Sequence, residues 1–191
     1  MPNVCADCGS AMDIHCDHFL TCISRRKREL NTRHDQVAKF IQKTVVMTGG
    51  CAIIEPSHLE RESRKRPDLD IQLDGNRILM DVSIVHPTAP SHYNLASKKL
   101  VTAENMEKTK LTKYTDIARY HNCTFIPIVL ESYGGMPQKC LEFISTLSIF
   151  SEQNTNLYGW RDIAKDLKAG IAIAIQRGNG MAAKACLISV S

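Results

Sequence analysis

The sequence contains no apolar run long enough to cross a membrane, no internal repeat and no low-complexity tract. Its first residues hold charges, cysteine and histidine where a secretory leader needs an apolar stretch, so no signal peptide is expected. Extreme charge is also missing: 24 Lys+Arg against 20 Asp+Glu leave a formal net charge of +4. That mild excess permits a nucleic-acid partner without demanding one. Nor are the cysteines spread as a disulfide framework would spread them. Cys5, Cys8, Cys16 and Cys22 crowd the N-terminus, while Cys51, Cys123, Cys140 and Cys186 are scattered through apolar stretches. The pattern points to a reducing compartment, with early cysteines as metal ligands and late ones as small buried residues. What is present is core-forming material: 43% of the 191 residues are hydrophobic, enough for one domain of ordinary size with a small appendage.

The periodicities divide the chain into a Cys/His segment with a basic connector, residues 1–30, and a larger domain, residues 31–191. Val37, Phe40, Ile41, Thr44 and Val45 recur at helical steps, so a helix is expected from Thr32 to Met47, stopped by Gly49-Gly50. Cys51 to Glu55 suits a strand, and the charged stretch 57–66 reads as a loop. Leu69, Ile71 and Leu73 alternate with Asp68, Asp70 and Gln72 before Asp74-Gly75, and a branched run follows from Arg77 to Val85. An Asp-Gly pair between two such runs predicts a hairpin. A Lys-rich helix is expected over 97–121. A strand is expected over Thr124–Leu130, with Pro127 suggesting an edge. Helices are expected over 137–149 and 157–169, and Ile171–Ile175 is an apolar segment of open type. This order predicts an α/β core.

Two constellations carry chemistry. The spacing Cys5-x2-Cys8-x9-His18-x3-Cys22 sets two close pairs on either side of a loop, as a tetrahedral zinc requires. His15 and Cys16 are rival ligands. Four protein ligands leave no open position, which makes this zinc structural. The second constellation is the hairpin. With Asp74-Gly75 at the turn, Asp68 lies directly opposite Asp81, on the face away from Leu69, Ile71, Ile78 and Met80. Opposed side chains sit roughly 5 Å apart at Cβ, and two such carboxylates need a cation between them, for which Mg²⁺ or Mn²⁺ is suited. Asp70 is a reserve ligand. The alternative is a pair of solvated surface acids.

Together these residues resemble the restriction-like endonuclease domain of site-specific non-LTR retrotransposon proteins, within the PD-(D/E)xK superfamily. The resemblance rests on Cys5, Cys8, His18 and Cys22, then Arg33-His34-Asp35, then Pro67-Asp68, then Asp81, then Lys110-Leu-Thr-Lys113-Tyr114, in that order. It covers residues 5 to about 135. The lysine of the general motif, two residues after the second acid, is replaced by Ser83. The resemblance therefore implies Lys110 or Lys113, one helical turn apart on one face, with Lys98 and Lys99 as weaker substitutes.

The resemblance implies a PD-(D/E)xK core, a mixed sheet flanked by helices, with a small N-terminal zinc module. It implies a nuclear enzyme that nicks target DNA to leave a 3′-hydroxyl for target-primed reverse transcription, with a reverse transcriptase domain in a longer parent protein and no membrane partner. Asp68 and Asp81 would hold the ion, and a lysine would orient the attacking water or neutralise developing charge. Tyr114 would bond a phosphate or pack. Arg33 and His34 would hold a phosphate at a helix start, unless Asp35 merely complements the helix dipole and His34 packs. Arg25, Arg26, Lys27, Arg64, Lys65 and Arg66 are further candidates for DNA phosphates. A module of the same fold that binds or scaffolds nucleic acid without cutting is the alternative.

Overall fold

The computed structural model describes residues 4–5, 7–12, 17–22, 24, 30–57, 59, 66–89, 94, 98–154 and 162–188, the last three without their side chains. The elements in chain order are α1 (His18–Thr21), α2 (Asn31–Met47), β1 (Cys51–Ile54), β2 (Leu69–Leu73), β3 (Asn76–Val85), α3 (Val101–Tyr120), β4 (Thr124–Glu131), α4 (Gln138–Asn154) and α5 (Ile163–Ile188).

The sheet runs β1-β2-β3-β4. The first three strands form an antiparallel meander and β4 lies parallel to β3. A parallel neighbour needs a long crossover, and α3 supplies it. β4 is an edge strand, so Pro127 leaves no central ladder bond unmade. The β2–β3 turn is centred on Asp74 and Gly75, both at positive φ (46° and 75°). This is the geometry an Asp-Gly turn adopts because its twist matches that of the flanking strands. Leu73 consequently faces Asn76 and Leu69 faces Met80. The Asp68 N–H donates to Met80 O at 2.8 Å, so Asp68 shares with Leu69 the partner Met80 and the regular ladder ends there in a bulge-like step.

Period-two alternation gives each face of the sheet its own layer. Leu69, Ile71, Ile78, Met80 and Val82 pack with Val37 and Ile41 of α2, Phe143 and Leu147 of α4, and Leu167 and Ile171 of α5. On the opposite face Leu79 joins Tyr114 and Ile117 of α3. A buried Leu or Ile contributes about 1.5–3 kcal/mol each, so the larger cluster carries most of the fold's stability.

α5 continues through 171–175, the segment whose type the sequence leaves open. Its Ile-Ala-Ile-Ala-Ile alternation imitates a strand, yet the buried positions Leu167, Ile171, Ala174, Ile175 and Ala182 follow a helical stripe. Two glycines let α5 lie close on α2. A Cβ at Gly178 would fall 2.5 Å from Arg33 Cβ, and one at Gly170 would fall 1.9 Å from the Phe40 ring. Among the described residues no helix is long and apolar enough to cross a membrane.

Candidate active site and zinc module

The N-terminal segment folds around its ligands. The Cys5 N–H donates to Ser10 O at 2.8 Å, the Gly9 N–H donates to Cys5 O at 2.9 Å, and Gly9 takes the left-handed φ of 70° that this tight turn requires. α1 then returns His18 and Cys22. The ligand atoms of Cys5, Cys8, His18 and Cys22 all lie within 4.8 Å of one another. Cys5 Sγ is 3.9 Å from Cys22 Sγ, and Cys8 Sγ is 3.1 Å from His18 Nε2. A tetrahedral zinc with Zn–S near 2.3 Å separates its sulfurs by roughly 3.8 Å, so the donor set fits a structural zinc. Hydrogen bonds from the Ser10 side chain and backbone pull the Cys8 thiol down to about 6, towards the thiolate a metal binds. His15 and Cys16 lie outside the described residues.

The second site is a cleft of about 470 Å³, whose lining includes His34, Asp68, Asp81, Ser83, Lys110 and, from α1, Leu20 and Thr21. Four elements deliver its polar groups. Asp81 comes from mid-β3 and points at α3. There Tyr114 Oη lies 2.5 Å from Asp81 Oδ1, and Lys110 Nζ lies 2.5 Å from Asp81 Oδ2. The spacing of four residues puts Lys110 and Tyr114 on one helix face. Tyr114 Oη also lies 2.9 Å from Arg66 O. Its single proton goes to the carboxylate, the stronger acceptor. Burial and the Asp81 bond push the Tyr114 pKa upward, so it stays a phenol.

Asp68 precedes β2, and its carboxylate swings to Val82: Oδ2 accepts the Val82 N–H at 2.6 Å. His34, in the first turn of α2, places Nε2 3.0 Å from Asp68 Oδ2 and 3.1 Å from Val82 O. Its Nδ1 is 3.1 Å from Asp35 Oδ1. Both ring nitrogens therefore face acceptors only, which defines an imidazolium. The bond to Asp68 raises the His34 pKa to about 9, against the opposing effect of burial.

The expectation that the opposed acids need a shared cation is thus met differently. Asp68 carries His34 and Asp81 carries Lys110, one cation each. Asp70, the reserve ligand, is engaged by Arg77 at 2.7 and 3.0 Å. Of the two implied lysines, Lys110 reaches the acid, while Lys113 donates to Tyr114 Oη at 2.9 Å. Lys98 and Lys99 are exposed.

Arg33, expected at DNA, is among the residues lining the cleft but is nearly enclosed. Arg33 is 3% exposed, and its Nη1 donates to Asn179 Oδ1 of α5 at 2.6 Å. It faces α5, where Gly178 leaves room, so its guanidinium is committed inside the fold. Burial lowers its pKa to about 10, still cationic at neutral pH. Arg66 is half-exposed and lies 3.6 Å from Glu55. Arg25, Arg26, Lys27, Arg64 and Lys65 lie outside the described residues.

Sequence reading misses a polar network at the far end of β3 and β4, buried at His86, Ser132 and Asn179 and exposed at Thr88 and Tyr133. His86 Nδ1 is 2.7 Å from Ser132 Oγ, and His86 Nε2 is 2.9 Å from Thr88 Oγ1. Asp17 receives Thr88 Oγ1 at 3.1 Å and Tyr133 Oη at 2.5 Å. Asn179 Nδ2 donates to Ser132 O at 2.8 Å. These residues belong to no local motif, and His86 beside Pro87 looks like an ordinary loop. The nearest signal is an Asn set between two glycines, Gly178 and Gly180, in a helix.

A mixed four-stranded sheet between helical layers, with a Cys/Cys/His/Cys zinc module at its N-terminus, is the class of protein these features define. Compared with known proteins, the chain matches no family model and no curated protein.

Proposed function

We propose that this chain is a metal-dependent DNA endonuclease of the restriction-like PD-(D/E)xK type, nicking target DNA to leave a 3′-hydroxyl in the service of non-LTR retrotransposition in the nucleus. One observation carries the reading. Asp68, Asp81 and Lys110 meet in one cleft, where the buried Asp81 carboxylate lies beside the Lys110 ammonium. Holding a carboxylate out of water is costly even when it is paired, and a divalent ion is one physical reason to keep it there.

The donor set fits Mg²⁺ or Mn²⁺. Both acids offer hard oxygens. Among the described residues the zinc cluster alone gathers three or more His, Cys, Asp or Glu ligand atoms within 4.8 Å. An ion at Asp68 and Asp81 would keep positions for water and phosphate, as Mg²⁺ does. When bound, it would supply Lewis acidity and an acidified water. The chain's own groups do the rest. Lys110 holds a positive charge beside Asp81 and meets charge developing on the phosphate. Tyr114 fixes Asp81 from behind. His34 orients Asp68.

Plasmid nicking with Mn²⁺, with and without EDTA, tests the reading. Cleavage should be lost with EDTA and in Asp68→Asn and Asp81→Asn, while duplex binding persists. Binding without cleavage at any divalent concentration would make the chain a nucleic-acid-binding module. The observation that favours this second reading is the pairing of each acid with a protein cation, which leaves the fold no need of an ion.

A further inference from the structure

We propose that the zinc module is a seated wall of the Asp68/Asp81 cleft, latched through Asp17, so that zinc occupancy sets how a nucleic-acid strand enters. The inference rests on the proposed function for its substrate and on geometry for the latch. Leu20 and Thr21 of α1 line the same cleft as Asp68, Asp81 and Lys110. Leu20 is buried, and α1 packs against α5. The module therefore has an apolar seat on the larger domain as well as a covalent tether.

The latch is a chain of directed bonds. Asp17 precedes the zinc ligand His18. One oxygen accepts from Tyr133 Oη at 2.5 Å, and the other accepts from Thr88 Oγ1 at 3.1 Å. Once the Thr88 proton points at Asp17, Thr88 Oγ1 can only accept, which puts a proton on His86 Nε2. His86 Nδ1 then accepts from Ser132 Oγ at 2.7 Å. Ser132 O receives Asn179, and Asn179 receives Arg33, the neighbour of His34 on the cleft. His86, Ser132, Asn179 and Arg33 are all buried. The inner links are desolvated, so breaking one strands its partner. The two bonds to Asp17 come from the exposed Thr88 and Tyr133 and hold the module by direction rather than by burial. Loss of zinc would free α1, since so short a segment has little core of its own. The wall and the latch would go together.

The test uses the full chain loaded with zinc, or with Co²⁺ for its thiolate absorption bands. Tyr133→Phe and Thr88→Val sit on the larger domain, away from the zinc ligands, and Asp17→Asn sits on the module. The Co²⁺ spectrum should be unchanged in Tyr133→Phe and Thr88→Val. In both, amide exchange over residues 17–22 and 82–85 should speed up several-fold, as loss of an exposed hydrogen bond to Asp17 implies, and more in Thr88→Val, which also loses its bond to His86. Chelation of the metal should speed it further. In plasmid nicking the variants should raise KM several-fold at nearly constant kcat. Intact Co²⁺ bands with unchanged exchange at both segments would overturn the latch. Absent nicking by the parent, with the exchange changes as expected, would sink the nuclease reading and leave the latch standing. Asp17→Asn checks the module side: faster exchange with intact bands supports the latch, and unchanged exchange overturns it.

Discussion

Asp81 is 4% exposed, and both its oxygens meet α3. From the sequence, removing one of two opposed acids relieves repulsion and should be neutral or mildly stabilising without metal. The structure reverses the sign. Asp81→Ala would leave Lys110, 19% exposed, without its anion and Tyr114 without its acceptor. Breaking a buried pair from one side costs about 3–5 kcal/mol, and partial exposure of the lysine brings this to about 2 kcal/mol. Urea unfolding of metal-free protein should show that loss, and Asp81→Ala/Lys110→Met should recover part of it. A stabilised single variant would mean that the acids do repel. His34 gives a pH prediction. Its folded pKa, about 9, lies above the unfolded value near 6.5. The stabilisation is therefore complete below pH 6.5 and is lost as pH rises to 9. Discounted for its partial exposure, it is on the order of 1–2 kcal/mol. Metal-free parent should lose this stability over that window, and His34→Gln should show a flat profile there.

At the scale of elements, the hairpin was legible because two signals agreed. Asp74-Gly75 set the turn and the alternation set the faces, so the pairing from Leu73–Asn76 out to Leu69–Met80 followed from counting. The expected level pairing of Asp68 with Asp81 did not, because the Asp68 N–H bonds Met80 O. Which way each acid turns was not legible. Asp68 stands before its strand and bends to Val82, whereas Asp81 stands within its strand under α3. The choice between Lys110 and Lys113 was closed to sequence for a similar reason: both share a helix face, and only the depth of the crossing over β3 separates them. The α2–α5 crossing was invisible, because its signal is the absence of side chains. It yields a paired prediction. Gly178→Ala drives a methyl into Arg33 Cβ and Cγ, atoms too near the backbone to move aside. Overpacking of this kind costs about 1–3 kcal/mol. Gly180→Ala meets nothing within 4 Å and should stabilise by about 0.5–1 kcal/mol through helix propensity. Thermal melts of the two variants should move in opposite directions; a common direction would mean that α5 does not approach α2 this closely.

At the scale of the whole molecule, the zinc pairs and the α/β order were readable as spacing and period, but the joining of module to domain was not. Asp17, the His86–Thr88 pair, Ser132 and Asn179 are far apart in the chain and meet only in the fold. The same separation decides where DNA charge recognition resides. Cations that neutralise phosphates give affinity a salt dependence, with a slope of about 0.9 per phosphate on a logarithmic scale. Arg33 is buried against Asn179 and Arg66 is near Glu55. Lys110 is held by Asp81. Under the proposed function, the connector cations Arg25, Arg26 and Lys27 and the loop cations Arg64 and Lys65, which lie outside the described residues, are the candidates for the duplex. Affinity should fall steeply with salt and depend little on sequence, since phosphate contacts carry no base information. Arg25→Ala/Arg26→Ala/Lys27→Ala should lower the salt slope by about 2–3. Arg33→Ala should leave the slope unchanged, yet destabilise the fold by leaving the buried Asn179 Oδ1 without its donor. Fluorescence anisotropy with a duplex over a salt series separates the two. A slope that falls by about 1 in Arg33→Ala, in protein still folded by circular dichroism, would return Arg33 to the DNA surface and overturn its assignment to the interior.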